Sequence, residues 1–576
     1  MSLWLFYLVQ MAVFAGFALS LNLLLGYAGQ LSAGHAGFAA LGGYTVAYLA
    51  TAQEWAFLPA LAAGAAVAGL AGLLIGLPAL RLSGEYLILL TIAFTLALLG
   101  VIATFPELGG TLGITDLSGL AIFGWHLDDQ ADWLVVALAV AALTFALCRR
   151  LGESPFGRVL RALREDPEAT RAHGKNVYAA KLTVFAITSA LAGLVGGVST
   201  ASLSLASPGL YALDLSMTVI AMVILGGAGN LWGAVLGGAL LTLIQPLLRQ
   251  VLGLDSAQSA LAQSAVYGTL IVAVMLLRPQ GLLPERGARG GKAAPTTQPP
   301  PAGRAPAETD PADQALRRAA WEEAQVVLRT SGVGKRFRGI TAAEGLDLEL
   351  REGTITALIG PNGAGKTTVF NLLTGAIAPD AGSVELAGRD LVGRRPDEIA
   401  GLGLVRTFQD VRLPQRLTCL ENVMLGVQEQ AGEHVTRLFT PGSGVARREA
   451  EVRAKAREWL EFVGMAEFAD VPAGALSYGQ SKLVSLARAL ATEARVLLLD
   501  EPASGIDTAW VERMLELIED VRRQGRTVCI VEHNLHVVSR LADDVYFMEL
   551  GRITAHGTVA ELTASPRLAE AYFGTV

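Results

Sequence analysis

Apolar stretches long enough to cross a bilayer recur through the first half of the chain and stop near residue 283. A hydrocarbon core takes about 20 apolar residues per helix. By that measure spans are predicted near 3–26, 33–52, 57–80, 86–105, 132–148, 180–205, 215–229, 231–249 and 258–277, nine in all. The two flanking Gly226–Gly233 (GGAGNLWG) read either as separate spans or as a re-entrant pair. Small residues are dense in AGLAGLLIG and AGLVGGVS, as expected where membrane helices pack closely.

Residues 285–315 carry no apolar period and are rich in Pro, Gly, Ala and Thr, which reads as a linker, extended at PTTQPPP. From about 326 the pattern changes again. ITALI (355–359) is a short apolar run that enters a Gly-rich turn, followed by a predicted helix over 366–374. VLLL (496–499) and TVCIV (527–531) read as buried parallel strands, with a helix over 509–523 between them. This is an α/β pattern of the nucleotide-binding kind. The expected organisation is therefore a polytopic α-helical membrane domain over 1–284, a Pro/Gly-rich linker over 285–325, and an α/β P-loop domain over 326–576.

Charge separates the halves in the same place. Residues 1–286 hold 12 basic and 14 acidic side chains, whereas the remaining 290 residues hold 71 charges. One half is suited to lipid and the other to water, which excludes a single soluble enzyme and a disordered chain. The net charge of −7 gives no reason to expect a nucleic-acid partner. Cys148, Cys419 and Cys529 are far apart, so neither a disulfide framework nor a zinc ribbon is expected. The first basic residue is Arg81, so the N-terminal apolar stretch lacks the positive region of a cleaved signal and is expected to remain as the first helix. Arg149, Arg150, Arg158, Arg161, Arg164, Arg171 and Lys175 crowd one loop, which should be cytoplasmic. The loop 106–131 is acidic, without Lys or Arg, and should lie outside; the N-terminus then starts outside, and the chain returns to the cytoplasm near Arg278.

Gly360-Pro-Asn362-Gly363-Ala-Gly365-Lys366-Thr367-Thr368 fits a phosphate-binding loop between strand and helix. Its glycines let backbone N–H groups face phosphate oxygens, and the helix that follows points its positive end at the same anion. Lys366 is the candidate for the β- and γ-phosphates, and Thr367 for Mg²⁺. Asp500 and Glu501 end the apolar strand that begins at Val496; Asp500 is a second candidate Mg²⁺ ligand, and Glu501 is the candidate general base for an attacking water. Ser477, Tyr478, Gly479 and Gln480 open a helix about 20 residues before that acid pair.

Together with LSYGQ (476–480), these motifs resemble the ATP-binding cassette (ABC) family, in which the usual signature is LSGGQ. Tyr478 in place of glycine is similar to the branched-chain amino acid importers of that family. The resemblance implies ATP and Mg²⁺ as cofactors, and a dimer of cassettes in which Ser477, Gly479 and Gln480 meet the nucleotide of the opposite cassette. It implies that Gln409, in VRTFQD, senses the γ-phosphate and supplements the metal ligands. It also implies that His533 is the switch histidine beside Glu501, that Asp507 lies in the D-loop, and that Phe337 stacks on adenine. A plain core role for Phe337 stays open, and His434, His536 and His556 show no partner pattern and read as surface residues.

The membrane half has its own resemblance. NLLLGYAGQLSAGHAGFAALGGY (22–44), LRLSGEYLILLTIAF (80–94), AMVILGGAGNLWGAVLGGALL (221–241) and MLLRPQGLL (275–283) resemble the permease of the high-affinity leucine, isoleucine and valine importers. The second half resembles that system's ATP-binding subunit from about 326 to the terminal AYFG. In such importers a permease loop with an E-A-A…G pattern docks on the cassette; here it reads Glu168-Ala-Thr170-Arg-Ala-His173-Gly174, with Thr170 departing from Ala. Polar Asn22, Gln30, Ser32, His35, Thr91 and Thr95 would either line a solute path or bond helix to helix, and Asn230 and Trp232 read as structural. The expectation is a fused permease and ATPase subunit of a bacterial inner-membrane importer. Its implied partners are a second permease, a second ATPase, a periplasmic or lipid-anchored binding protein and membrane lipid. Urea, short amides or aromatic acids are the alternative substrates. An ABC exporter is the weaker alternative, because exporters lack this E-A-A-like loop.

Overall fold

The computed structural model describes residues 2–80, 84–117, 119–252, 256–285 and 311–564. Contacts group them into two compact units: 2–165 and 177–285 with Gly432–Pro441, and Asp166–Asn176 with 311–431 and 442–564.

In the first unit, α1 (Ser2–Asn22) runs into a π-helical turn, Leu23–Tyr27. There follow α2 (His35–Ala52), α3 (Phe57–Ala79), α4 (Gly84–Thr104), α5 (Gln130–Gly152) and α6 (Pro155–Glu165). After α7 (Pro167–Ala172), which belongs to the second unit, come α8 (Val177–Leu203), α9 (Leu213–Gly226), α10 (Leu231–Leu252) and α11 (Ser256–Leu277). Short strand pairs, β1 (Ile114–Thr115) with β4 (Leu205–Ala206) and β2 (Ala121–Ile122) with β3 (Trp125–His126), tie the loops.

A helix lies at each of the nine predicted spans, and seven segments among the described residues are long and apolar enough to cross a membrane. α2 falls short because protein surrounds it: His35, Gly42, Gly43 and Tyr44 are buried, so its side chains need not suit lipid. A Cβ on Gly42 would lie 2.0 Å from the Gly193 carbonyl oxygen, so α2 and α8 meet backbone to backbone. In α11 the apolar stretch Ala265–Leu277 is the part whose side chains are described without a break, and it is shorter than a full span. The Gly-rich stretch is a turn between α9 and α10, and the apolar segment Pro208–Gly226 is long enough to cross by itself, which fits separate spans.

Asn22, His35 and Thr91 join separate segments of this unit, whereas Thr95 bonds within α4. Gly229 N–H donates to Asn22 Oδ1 (2.8 Å), and Asn22 Nδ2 donates to the Asn230 carbonyl (3.0 Å). His35 Nε2 and Ser20 Oγ are 2.7 Å apart, Thr91 Oγ1 accepts from Ala33 N–H, and Thr95 Oγ1 donates to Thr91 O. Gln30 differs: it is buried, and neither amide atom has a partner among the described residues. Asn230 Nδ2 donates to Pro284 O, as its structural reading requires, while Trp232 is exposed, its ring 4.8 Å from that of Phe145.

The second unit holds two sheets. β5 (Val326–Phe337), β6 (Ile340–Leu346), β7 (Glu349–Arg351), β9 (Ala381–Leu386) and β10 (Arg389–Asp390) pair antiparallel. The other sheet runs β11 (Leu404–Arg406), β12 (Val496–Asp500), β13 (Thr527–Val531), β8 (Ile355–Ile359), β14 (Asp544–Glu549), β15 (Arg552–Gly557), parallel up to the last pair. Its central strands β8, β12 and β13 are buried at every position, which is why they read as unbroken apolar runs. The helices are α12 (Pro311–Glu323), α13 (Lys366–Leu373), α14 (Pro396–Gly401), α15 (Cys419–Gly426), α17 (Val445–Phe462), α18 (Tyr478–Leu490), α19 (Thr508–Arg523), α20 (Leu535–Leu541) and α21 (Val559–Thr563); α16 (Val435–Phe439) belongs to the first unit.

The stretch predicted as linker is structured at both ends. Glu285 is buried against Arg164 (2.8 Å) within the first unit. At the other end α12 packs into the second unit: Arg318 pairs with Asp544, and the Arg351 guanidinium lies 4.2 Å from the Trp321 ring. Pro311 at the first helical position and the helix formers after it account for α12, and Trp321 is its buried anchor. Residues 286–310 and the terminal AYFG lie outside the described residues.

Candidate functional site

The phosphate loop leaves β8 at Gly360 and enters α13 at Lys366. Gly360 and Gly365 have φ of +151° and +105°, and a Cβ on either would strike backbone, Met548 O at 2.0 Å and Ala342 O at 2.4 Å. Only glycine fits at these two positions. Asn362, Gly363 and Thr367 are exposed on the loop and Thr368 is half-buried. Lys366 Nζ donates to Gly360 O (2.7 Å) and Pro361 O (3.0 Å). Burial lowers its pKa, opposed by Glu501 and Asp500.

Glu501 begins the turn after β12 in a left-handed backbone conformation (φ +45°), uncommon for a residue with a side chain. It is over-determined there: its N–H donates to Val531 O (2.9 Å), and its carbonyl accepts from Lys482 Nζ (2.6 Å). Gln409 Nε2 donates to its carboxylate at 2.9 Å, and His533 Nδ1 lies 3.8 Å from the other oxygen. Thus the structure brings Glu501, Gln409 and His533 together, although they are dispersed over 125 residues of sequence.

Asp500 is 1% exposed and paired with Arg406 (2.6 Å) through Oδ2, while Oδ1 has no partner among the described residues. Burial raises its pKa, opposed by Arg406. An orphaned carboxylate oxygen one residue before the candidate base suits a hard cation such as Mg²⁺. Among the described residues no three His, Cys, Asp or Glu side chains cluster as a metal cage. A cation at Asp500 and Thr367 would therefore need phosphate oxygens to complete its shell, as Mg²⁺ ordinarily does.

At the signature, Ser477 caps α18: its Oγ accepts from Gln480 N–H (3.3 Å), and Gln480 Oε1 accepts from Ser477 N–H (2.9 Å). Gln480 is buried in this capping box, so its side chain serves the turn. A Cβ on Gly479 would sit 3.0 Å from the Trp510 ring. Tyr478 is exposed, with Lys482 Nζ 5.6 Å from its ring centroid. Asp507 is exposed at the start of α19. Phe337 is 40% exposed at the end of β5, which removes the core reading. His434, His536 and His556 are exposed, as read from the sequence: His556 also bonds Asp544 (2.7 Å) and stacks on Tyr546, His536 lies 3.5 Å from Glu512, and His434 sits at the N-cap position of α16 without a side-chain bond there.

The segment Asp166–Asn176 seats in the same unit. Arg412 Nη1 bonds Glu168 (2.7 Å), Lys175 Nζ donates to Val427 O (2.8 Å), and Gln428 Nε2 donates to His173 O (2.8 Å). Gly174 has φ +80°, and a Cβ there would meet Gln428 Oε1 at 2.5 Å. Arg406, Arg412, Gln428 and Lys482 escaped sequence reasoning; only Arg406 and Lys482, next to recognised motifs, carried a positional hint.

Residues 3–276 match the family model described as branched-chain amino acid transport system / permease component, and 343–504 match that of the ABC transporter. The chain is 38% identical over 253 residues to the high-affinity branched-chain amino acid transport ATP-binding protein LivG of Salmonella typhimurium, spanning 43% of this chain and 98% of that one. It is 36% identical over 249 residues to the corresponding protein BraF of Pseudomonas aeruginosa, again with 43% and 98% covered. Among solved structures, a nucleotide-free ATP-binding cassette of an ABC transporter is matched over its whole length by 44% of this chain at 32% identity, TM-score 0.39.

Proposed function

Since this chain belongs to the branched-chain amino acid transport family of ABC transporters and carries permease and ATPase on one polypeptide, we propose that it uses ATP hydrolysis to drive uptake of branched-chain amino acids across a bacterial inner membrane. The observation that carries the reading is the cluster of Glu501, Gln409 and His533 behind a phosphate loop, in a chain whose other half is apolar helices.

Bound nucleotide with Mg²⁺ would supply the scissile phosphoanhydride and the charge neutralisation of its oxygens. Lys366 and the N–H groups of the loop would orient the phosphates, and Asp500 with Thr367 would hold the cation, Gln409 adding a ligand on the reading from resemblance. Glu501 accepts the proton of the attacking water, and the bond from Gln409 keeps its carboxylate aimed. His533 contributes a second polar contact beside that carboxylate. The adenine face is assigned to Phe337. Ser477, Gly479 and Gln480 form a helix N-terminus for the nucleotide of an opposing cassette, Gln480 through the turn it closes. Asp507 is assigned to the D-loop on the same resemblance.

The seat of Glu168–Gly174 on Arg412 and Gln428 is the mechanical link in this reading. A second permease, a second ATPase and a periplasmic or lipid-anchored binding protein complete the assembly, with the cassette in the cytoplasm. Binding by the cognate binding protein tests the substrate: tight binding of leucine supports the reading, and tight binding of urea without leucine moves the assignment to the amide importers. Vesicles carrying the assembly that accumulate no solute on addition of ATP would reject transport.

A further inference from the structure

The Arg406–Asp500 pair ties together two of the segments that mark the site, the VRTFQD stretch and the acid pair, yet no role has so far fallen to Arg406. Arg406 is 4% exposed, so both partners are withdrawn from water. Removing a charge from water costs several kcal/mol per ion, and such pairs are weak sources of stability. Their geometry suggests another use. Arg406 Nη2 takes Oδ2 of Asp500 and leaves Oδ1 without a partner. Its Nη1 bonds Asn371 on α13, the helix that follows the phosphate loop. The guanidinium lies between two aromatic rings, 5.5 Å from Phe370 and 5.2 Å from Phe408, the residue before Gln409. The next residue, Thr407, accepts the Asp500 N–H on its hydroxyl (3.3 Å). One side chain thus touches the phosphate-loop helix, the strand end that bears the acid pair and the segment that leads to Gln409.

We propose that Arg406 is a positioning residue for the cation that accompanies the nucleotide. By engaging one carboxylate oxygen it fixes the rotation of Asp500 and leaves the other oxygen to the metal. By its bond to Asn371 it keeps that oxygen in register with the phosphate loop. The inference rests on the ATPase reading above and adds a residue to it. Groups that orient a metal ligand from behind change metal affinity by about 10–100-fold when lost.

The test uses the purified full-length chain and a fluorescent ATP analogue, titrated in EDTA and then with Mg²⁺. In Arg406→Met the Mg²⁺ concentration for half-maximal enhancement of binding should rise by about tenfold or more, with binding in EDTA nearly unchanged. Arg406→Lys, which keeps the charge, should recover part of the loss. Asn371→Leu, which spares the ion pair and removes only its anchor, should move in the same direction by less, and it serves if Arg406→Met does not fold. An unchanged Mg²⁺ requirement in the folded variants overturns the proposal. So does a parallel loss of binding with and without Mg²⁺, since that reports a collapsed site. If the native chain bound no nucleotide in either condition, the ATPase reading itself would fall.

Discussion

Substituting Gly174 by alanine tests how the segment 166–176 is held. The new Cβ would lie 2.5 Å from Gln428 Oε1 and 2.9 Å from its Nε2, so the amide must leave. Two hydrogen bonds go with it, to His173 O and to Gly426 O, each worth about 0.5–1.5 kcal/mol. The left-handed backbone at φ +80° adds about 1–2 kcal/mol for any side chain. The seat should weaken by about 2–5 kcal/mol, roughly 30- to 5000-fold. The Glu168–Arg412 pair looks more important in sequence but is 70% and 36% exposed, and such pairs contribute about 0–1 kcal/mol. Amide hydrogen exchange across 166–176 in the purified chain should therefore accelerate strongly in Gly174→Ala and only slightly in Glu168→Ala. The ratio of solute moved to ATP hydrolysed should fall in the same order. Native exchange in Gly174→Ala, or the reverse order of the two variants, would refute the reasoning.

Glu501→Gln should lower ATPase turnover by about 10²–10⁴-fold while nucleotide binding persists; turnover within a few-fold of native would reject Glu501 as base. Ser477→Ala removes the cap of α18 and should cost about 1 kcal/mol, read as faster exchange at the first amides of that helix; unchanged protection would reject the cap. His173 is buried, and burial together with Arg488 and Lys175 holds its pKa well below the ordinary value, against the bond to Ala169 O. It is neutral in the seat, so its stabilising contribution is complete above about pH 6.5 and is lost as pH falls further. Protection over 166–176, meaning exchange relative to the intrinsic rate at each pH, should fall between pH 7.5 and 5.5, and His173→Phe should flatten that dependence; an equal slope in both proteins would sink the assignment.

The phosphate loop, its strand and its helix were legible because steric rules there leave few alternatives: Gly360 and Gly365 occupy positions where a Cβ would hit backbone. The membrane helices were legible because lipid demands length and apolarity, and α2 shows the limit of that rule once protein replaces lipid as the neighbour. α12 was hidden by averaging, since Pro311–Glu323 adjoins a Pro-rich stretch and, among its residues whose burial is described, Trp321 is the one fully withdrawn from water. Arg406 and Arg412 were invisible for a different reason. An arginine has no period or spacing that announces its partner, and theirs, Asp500 and Glu168, are 94 and 244 residues away. Gln480 was legible as part of a signature, but its use in closing a helix cap appears only in the fold.

Tyr478 stands where most cassettes have no side chain at all. Its hydroxyl reaches the main-chain oxygen of Gln409 (3.5 Å), and the ammonium that lies over its ring also bonds the main-chain oxygen of Glu501. Any shift of the Gln409 segment is therefore handed directly to the turn that would greet a neighbouring cassette.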